Sequence, residues 1–276
     1  MLNLERILNQ DRLMRAMTGL NRKGFEELLP SFTEAYPITF SYFPTALMNN
    51  RPHATVILGM TADGKIADYQ SSPARFGSIH DQNHLEQQVS LVDGVLFGAG
   101  TLRAYGTTVC VSNPTLLQER KMRSQLPQPV QIVVSASGNL DSQWRFFQQP
   151  IPRWLITIPG HDSTWQSKTE FERILIAPVI SPENNSIINW IKTFQQLAEL
   201  GLNRLAILGG GELVASLLAE DLIDELWLTL CPVIFGGKSA PTPVGGTGLI
   251  QSQGKKLQLL EVKQIEQELF LHYRVC

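Results

Sequence analysis

From about residue 54 onward the chain alternates short apolar runs with stretches of helical period. Ala54–Met60, Gly94–Phe97, Val130–Val134, Trp154–Ile158, Arg173–Ile176, Arg204–Leu208, Glu225–Ile234, Leu257–Val262 and Glu268–Val275 read as strands. His80–Leu91, Thr115–Ser124, Ile187–Leu200 and Glu212–Glu220 read as helices between them. Alternating strands and helices predict an α/β fold around a mostly parallel sheet with flanking helices. The last two strands are too close for a crossover helix, which predicts a C-terminal antiparallel hairpin. Phe235–Gly254, rich in Gly, Pro, Ser and Thr and without a period, reads as a long loop of the kind that often serves function.

Before residue 48 the pattern differs. Residues 3–17 and 22–35 read as two amphipathic helices broken at Thr18-Gly19, with Leu4, Ile7, Leu8, Leu13 and Met17 spaced for one apolar face. Tyr36-Pro37 and Phe43-Pro44 then interrupt any regular pattern. The expected organisation is a helical extension over 1–47 and an α/β domain over 48–276.

Composition narrows the class. The 276 residues are 43% hydrophobic and 17% charged. No apolar run approaches the roughly 20 residues of a membrane-spanning helix, so neither a membrane protein nor a disordered chain is expected. Lys and Arg (23) nearly balance Asp and Glu (25), with no long basic run, so no nucleic-acid partner is indicated. Cys110, Cys231 and Cys276 are few and far apart, against a disulfide framework or a Cys-rich zinc site. With no basic-then-apolar signal at the N-terminus, a cytoplasmic protein is expected.

Three turns carry candidate chemistry. In the first, a strand runs into Gly98-Ala-Gly100-Thr101, where residues without Cβ atoms let backbone N–H groups approach a phosphate and Thr101 adds a hydroxyl. In the second, a strand meets Gly209-Gly210-Gly211-Glu212-Leu213 and then a helix, whose N-terminal N–H groups favour an anion. Tight strand-to-helix packing produces the same strings. Neither turn completes a dinucleotide fingerprint, since Arg103 stands where a third glycine belongs. The third, Thr61-Ala-Asp63-Gly-Lys65, places a hydroxyl, a carboxylate and an ammonium after the first strand, at the edge where open α/β sheets bind ligands. An ordinary Asp-Gly turn reads identically. His80 and His84 have helical spacing for a metal, but no Glu follows the first His, and no metal site is expected.

These turns in this order, with Arg51-Pro52-His53 before them, Ser71-Ser72-Pro73 among them, and Leu222-Ile-Asp224-Glu225-Leu226 and Pro232-Val-Ile-Phe-Gly236-Gly237 after them, resemble the reductase domain of the riboflavin-biosynthesis deaminase/reductase family. The resemblance covers about residues 51–275 and implies a dihydrofolate-reductase-like fold. It also implies NADPH-dependent reduction of the ribosyl group of 5-amino-6-(5-phosphoribosylamino)uracil to a ribityl chain. On this resemblance Gly59, Gly98, Gly100, Thr101, Ser135 and Gly209, Gly210, Gly211, Glu212 and Leu213 contact NADPH. Thr61, Ser71 and Ser72 face the substrate, and Asp63 and Lys65 are the catalytic candidates, with a bound water as another source of the proton. It further implies a homodimer, with Leu257–Val275 as interface elements.

The chain departs from that pattern at three places, one of them a shorter stretch between Ala67 and Ser71 that lacks a Trp often found there. Family members usually follow the first glycine turn with an Asp-Asp/Asn-Pro segment and an Arg that help hold substrate, whereas here it reads Leu102-Arg103-Ala-Tyr105-Gly106. Leu208 stands where the family has a substrate Glu. These leave open an NADPH reductase of the same fold acting on another pterin-like or carbonyl substrate, or a non-catalytic nucleotide-binding module. Arg103 is a candidate for the NADPH 2′-phosphate on charge alone. The zinc deaminase motifs are absent from these residues. Ile7–Pro30 resembles the leader helices of an insertion-sequence transposase, so residues 1–47 are expected to be a nonessential fused fragment or else an ordinary helical extension. DNA binding by that leader has little support from its five basic and five acidic residues over 1–36.

Overall fold

A computed structural model of the chain describes residues 50–161, 165, 169–180 and 187–276. The expectations for residues 1–47 lie outside the described residues, and the compact unit containing the sheet spans Asn50–Cys276.

In chain order the elements are β1 (His53–Thr61), α1 (Ile79–Ser90), β2 (Gly94–Gly98), α2 (Ala99–Tyr105), α3 (Pro114–Met122), β3 (Val130–Val134), β4 (Arg153–Thr157), β5 (Arg173–Ile176), α4 (Trp190–Glu199), β6 (Arg204–Ile207), α5 (Gly211–Ala219), β7 (Glu225–Cys231), β8 (Leu257–Ile265) and β9 (Glu268–Val275). The strands form one sheet in the order β5-β4-β3-β2-β6-β1-β7-β9-β8. Strands β1 to β7 pair in parallel, while β9 runs antiparallel to both β7 and β8.

Both faces of the parallel part are buried, so its strands are apolar throughout. Ala54, Val56, Leu96, Ile132, Leu205 and Ile207 pack on one face with Phe194 and Leu197 of α4 and Leu213, Val214 and Leu217 of α5. Ile57, Val95, Phe97, Val133 and Ala206 pack on the other with Val89 of α1 and Leu102 of α2. The result is a three-layer α/β/α sandwich, which the strand-helix alternation predicts.

Departures from the expected elements have local causes. β7 ends at Cys231 rather than Ile234, because Pro232 has no N–H to continue the ladder. Helix α4 begins at Trp190 rather than Ile187: Ile188 is held in a bridge to Val179, and the Asn189 side chain caps the helix by accepting the Lys192 N–H. Helix α2, absent from the sequence reading, forms because Leu102 is fully buried and left-handed Gly106 closes its end by donating to Leu102 O.

Asp224, in one of the motifs behind the resemblance, is a latch between β1 and β7. Its carboxylate accepts the buried Ala54 N–H at 2.7 Å and two Arg51 guanidinium bonds at 2.8 and 2.9 Å. Its backbone N–H donates to Ala54 O, and its carbonyl accepts from Val275 N–H. Asp224→Ala leaves a buried amide unpaired and takes the carboxylate away from the Arg51 guanidinium. Urea unfolding is expected to show a loss of about 2–3 kcal/mol, and a loss below about 0.5 kcal/mol, the usual range for a surface change, would contradict the latch.

Candidate functional site at the C-terminal edge of the sheet

Because β1, β2, β3 and β6 are parallel, the turns after them meet at one edge. The two glycine turns touch there: Gly98 N–H donates to Gly209 O at 2.9 Å, across 111 residues of sequence. A Cβ on Gly210 would lie 3.6 Å from Thr101 Oγ1, so the Thr101 hydroxyl stands at the seam between the turns. Gly209 has φ +94 and forms a cis peptide with Gly210. At Gly211 a Cβ would lie 2.4 Å from Thr242 O, so the 242–246 backbone folds over this turn only because the residue is glycine.

Among the described helices, α1, α3 and α4 have side-chain caps from Ser78, Asn113 and Asn189. Helix α5 begins at Gly210 and α2 at Gly98, each with no side-chain cap. The first-turn N–H groups of α5 lack the side-chain acceptor that α1, α3 and α4 carry, which is the arrangement that suits an anionic group. Around Gly100 no protein atom approaches within 4 Å of a Cβ position, so a ligand has room against this backbone.

The other cofactor candidates take different parts. The Ser135 backbone N–H continues the β3–β4 ladder by donating to Ile156 O, and the residue is buried at the end of β3. The Leu213 side chain belongs to the core, which leaves its amide as the group that can serve the turn. The Glu212 carboxylate accepts Gly246 N–H at 2.9 Å and holds the long loop onto α5. Gly59 lies within β1, where a Cβ would come 3.5 Å from the Asp81 carboxylate.

The Thr61–Lys65 turn is zipped to the segment after β7. Ala62 N–H donates to Val233 O and Ile66 N–H to Pro241 O. The Asp63 carboxylate accepts the Thr61 hydroxyl at 2.6 Å, Gly236 N–H at 2.6 Å and Phe235 N–H at 3.2 Å. The Thr61 hydroxyl also accepts Lys65 N–H, and Thr61 is fully buried. Two expectations are thereby corrected. Thr61 has its hydroxyl spent within the protein and is inaccessible to substrate. Asp63 is held below its ordinary pKa by the Thr61 hydroxyl first and by the two amides, so it is an ionised loop tether and a poor proton donor. Lys65 Nζ, 3.5 Å from Ala240 O, stays at this edge.

Beside this turn, Ala67, Asp68, Ser72, Arg75, Phe76 and Phe235 help line a cleft of about 230 Å³. Asp68 Oδ1 accepts from both Gln70 and Ser72 N–H, bending the segment so that Ser72 lines the cleft. Ser71 lies next to it with φ +58, its N–H donating to Asp68 O.

One group escaped the sequence reading, and another, Tyr105, was noted there without its partner. Asp81, in the polar string His80–His84, is pushed above its ordinary pKa by burial, with a Thr229 hydrogen bond opposing and the Glu268 charge adding. The missing Cβ atoms of Gly59 and Gly77 give its carboxylate room, a signal readable only after the fold is known. Tyr105 hydrogen-bonds both backbone groups of Ala74. The two histidines diverge: His80 pairs with Glu266 at 3.5 Å, whereas His84 packs on Trp227 and Phe270, with burial pulling its pKa down to about 4.

Fold and site together define an open α/β protein that presents bare glycine turns and a cleft at its strand ends. The chain belongs to the RibD C-terminal domain family, whose pattern matches residues 52–271. It is 23% identical over 215 residues to the 2,5-diamino-6-ribosylamino-4(3H)-pyrimidinone 5′-phosphate reductase of Archaeoglobus fulgidus, covering 78% of this chain and 94% of that protein. It is 26% identical over 245 residues to the riboflavin biosynthesis protein RibD of Actinobacillus pleuropneumoniae, covering 87% of this chain and 60% of that one. The fold is shared with a pyrimidine reductase-like protein from Corynebacterium diphtheriae, with a TM-score of 0.68 at 19% identity over 86% of this chain and 96% of the other. The family match does not extend into residues 1–51, so the transposase resemblance of the leader gains no support from it.

The Asp63 tether has a pH signature. A carboxylate whose folded pKa is depressed keeps its bonds above the unfolded value of about 3.8 and loses them only as pH falls through the lower folded value. The Gly236 amide NMR signal is expected to titrate with a midpoint below 3.8, and Asp63→Asn to abolish that step. A midpoint at or above 3.8 would contradict the tether.

Proposed function

We propose that this protein is an NADPH-dependent reductase that converts the ribosyl group of a phosphoribosylaminopyrimidine to a ribityl chain. The 5-amino-6-(5-phosphoribosylamino)uracil of the sequence reading and its 2,5-diamino counterpart are both of this class. The observation that carries the reading is the junction of the two glycine turns beside the 66–77 cleft, in a chain of the RibD C-terminal domain family.

The residues divide the work. The α5 N-terminus and the Thr101 hydroxyl hold the cofactor's phosphates, and the open backbone at Gly98–Gly100 lets the dinucleotide lie against the sheet edge. The cofactor supplies the hydride, so the protein's task is to orient two partners and exclude water. Reduction of a C=N or C=O carbon also consumes one proton at nitrogen or oxygen. With Asp63 ionised, that proton comes from Lys65 or from a bound water. A second reading, another pterin-like or carbonyl substrate, is favoured by Leu208 where the resemblance expects a Glu and by the loss of the Asp-Asp/Asn-Pro segment after the first glycine turn.

The test is NADPH oxidation followed at the nicotinamide absorbance, with both ribosylaminopyrimidine phosphates as substrates and NADH in parallel. Turnover with preference for NADPH is expected. Tight NADPH binding without turnover of either compound would move the assignment to the second reading, and failure to bind NADPH would overturn both.

We also propose a homodimer built on β8. This edge strand is exposed along nearly its whole length, with Leu257, Leu259, Leu260 and Val262 each more than one-third accessible, and an uncovered apolar edge invites pairing with a second copy. Sedimentation is expected to show a dimer that Leu259→Glu with Val262→Lys converts to monomer; a wild-type monomer at micromolar concentration would remove the proposal.

A further inference from the structure

The segment between β1 and α1 is irregular from Ile66 to Ser78, yet it forms most of the cleft wall. A wall of irregular backbone keeps its shape only where something fixes it. Near its start Asp68 does so, through the Gln70 and Ser72 amides. Next to α1 the Glu268 carboxylate accepts both the N–H and the hydroxyl of Ser78. Between these anchors the side-chain tie is Tyr105, whose hydroxyl accepts Ala74 N–H at 2.8 Å and donates to Ala74 O at 3.3 Å. One phenol thus satisfies both backbone groups of a residue 31 positions away.

Tyr105 closes α2, and the first turn of α2 carries Gly100 and Thr101. A seven-residue helix therefore has the proposed cofactor turn at one end and the clasp on the cleft wall at the other. A single rigid element sets the spacing between the two.

Resting on the reading above, we propose that Tyr105 is a positioning residue that preforms the cleft for the planar heterocycle of the substrate by clasping Ala74. Its hydroxyl is spent on the protein, so Tyr105 acts on the substrate through the wall it holds. Recognition at this wall falls to backbone, to the lining residues Ser72 and Arg75, and to the edge-to-face pair Phe76–Phe235, with centroids 5.4 Å apart. Phe235 lines the cleft and is 42% exposed, leaving aromatic surface on which a flat base can stack.

Tyr105→Phe keeps the ring and removes both hydrogen bonds. The expected result has two arms. Amide exchange in residues 72–76 quickens, and KM for the ribosylaminopyrimidine phosphate rises about tenfold, while kcat, the Kd for NADPH and Tm stay close to wild type. Unchanged exchange in 72–76 overturns the clasp. A fall in kcat at constant KM overturns the positioning role, because it places the hydroxyl in the chemical step. Equal losses in Tm, NADPH affinity and KM overturn it in favour of general support of the fold. If wild-type protein binds NADPH but turns over neither pyrimidine, the proposed substrate falls, and the exchange arm alone upholds or overturns the clasp.

Discussion

The site depends on one constraint: β1 is hydrogen-bonded in parallel on both sides, to β6 and to β7. Parallel neighbours cannot be joined by a tight turn, so the chain must leave the edge where each strand ends and return to the other. Every strand-to-helix turn of the parallel region therefore falls on one edge. With β6 inserted between β1 and β2, the turns after β2 and β6 become neighbours although far apart in sequence. The 2.9 Å bond from Gly98 N–H to Gly209 O is a product of that order.

A second layer of organisation holds the β1 turn to the loop after β7. Beyond Cys231 the ladder stops, and the polar groups of Thr61–Ile66 and Val233–Pro241 satisfy one another instead. Asp63 is central because a carboxylate can accept several donors at once, here one hydroxyl and two amides. Two of the motifs behind the resemblance, Thr61–Lys65 and Pro232–Gly237, are the two halves of one zipper. Their joint presence records a structural dependency as much as a chemical one.

This explains what could be read from the sequence. The central parallel strands were legible because they are buried on both faces and hence largely apolar, and the glycine turns because residues without Cβ atoms punctuate strand ends. The role of Asp63 was not, since its partners Phe235 and Gly236 lie more than 170 residues away. Helix α2 was hidden by Gly100, a poor helix former, and emerges only once Leu102 finds the core. Asp81 was hidden by its polar neighbours, since His80–His84 reads as a solvated face until the bare backbone of Gly59 and Gly77 is set opposite it.

The two halves of the site are made of different material. At the glycine turns the exposed material is mostly backbone, with Gly209 set by a positive φ and Gly211 by the close approach of Thr242 O. Such a site survives extensive side-chain change as long as the glycines and strand order persist, which accords with a family match over 52–271 beside relatives only 23–26% identical. At the cleft the wall is irregular chain held by single side chains, Asp68, Tyr105 and Glu268. Exchanging one of them reshapes the wall without disturbing the sheet or the glycine turns. A change at Asp68, Tyr105 or Glu268 therefore alters the cleft, while the edge built from the glycine turns stays as the strand order made it.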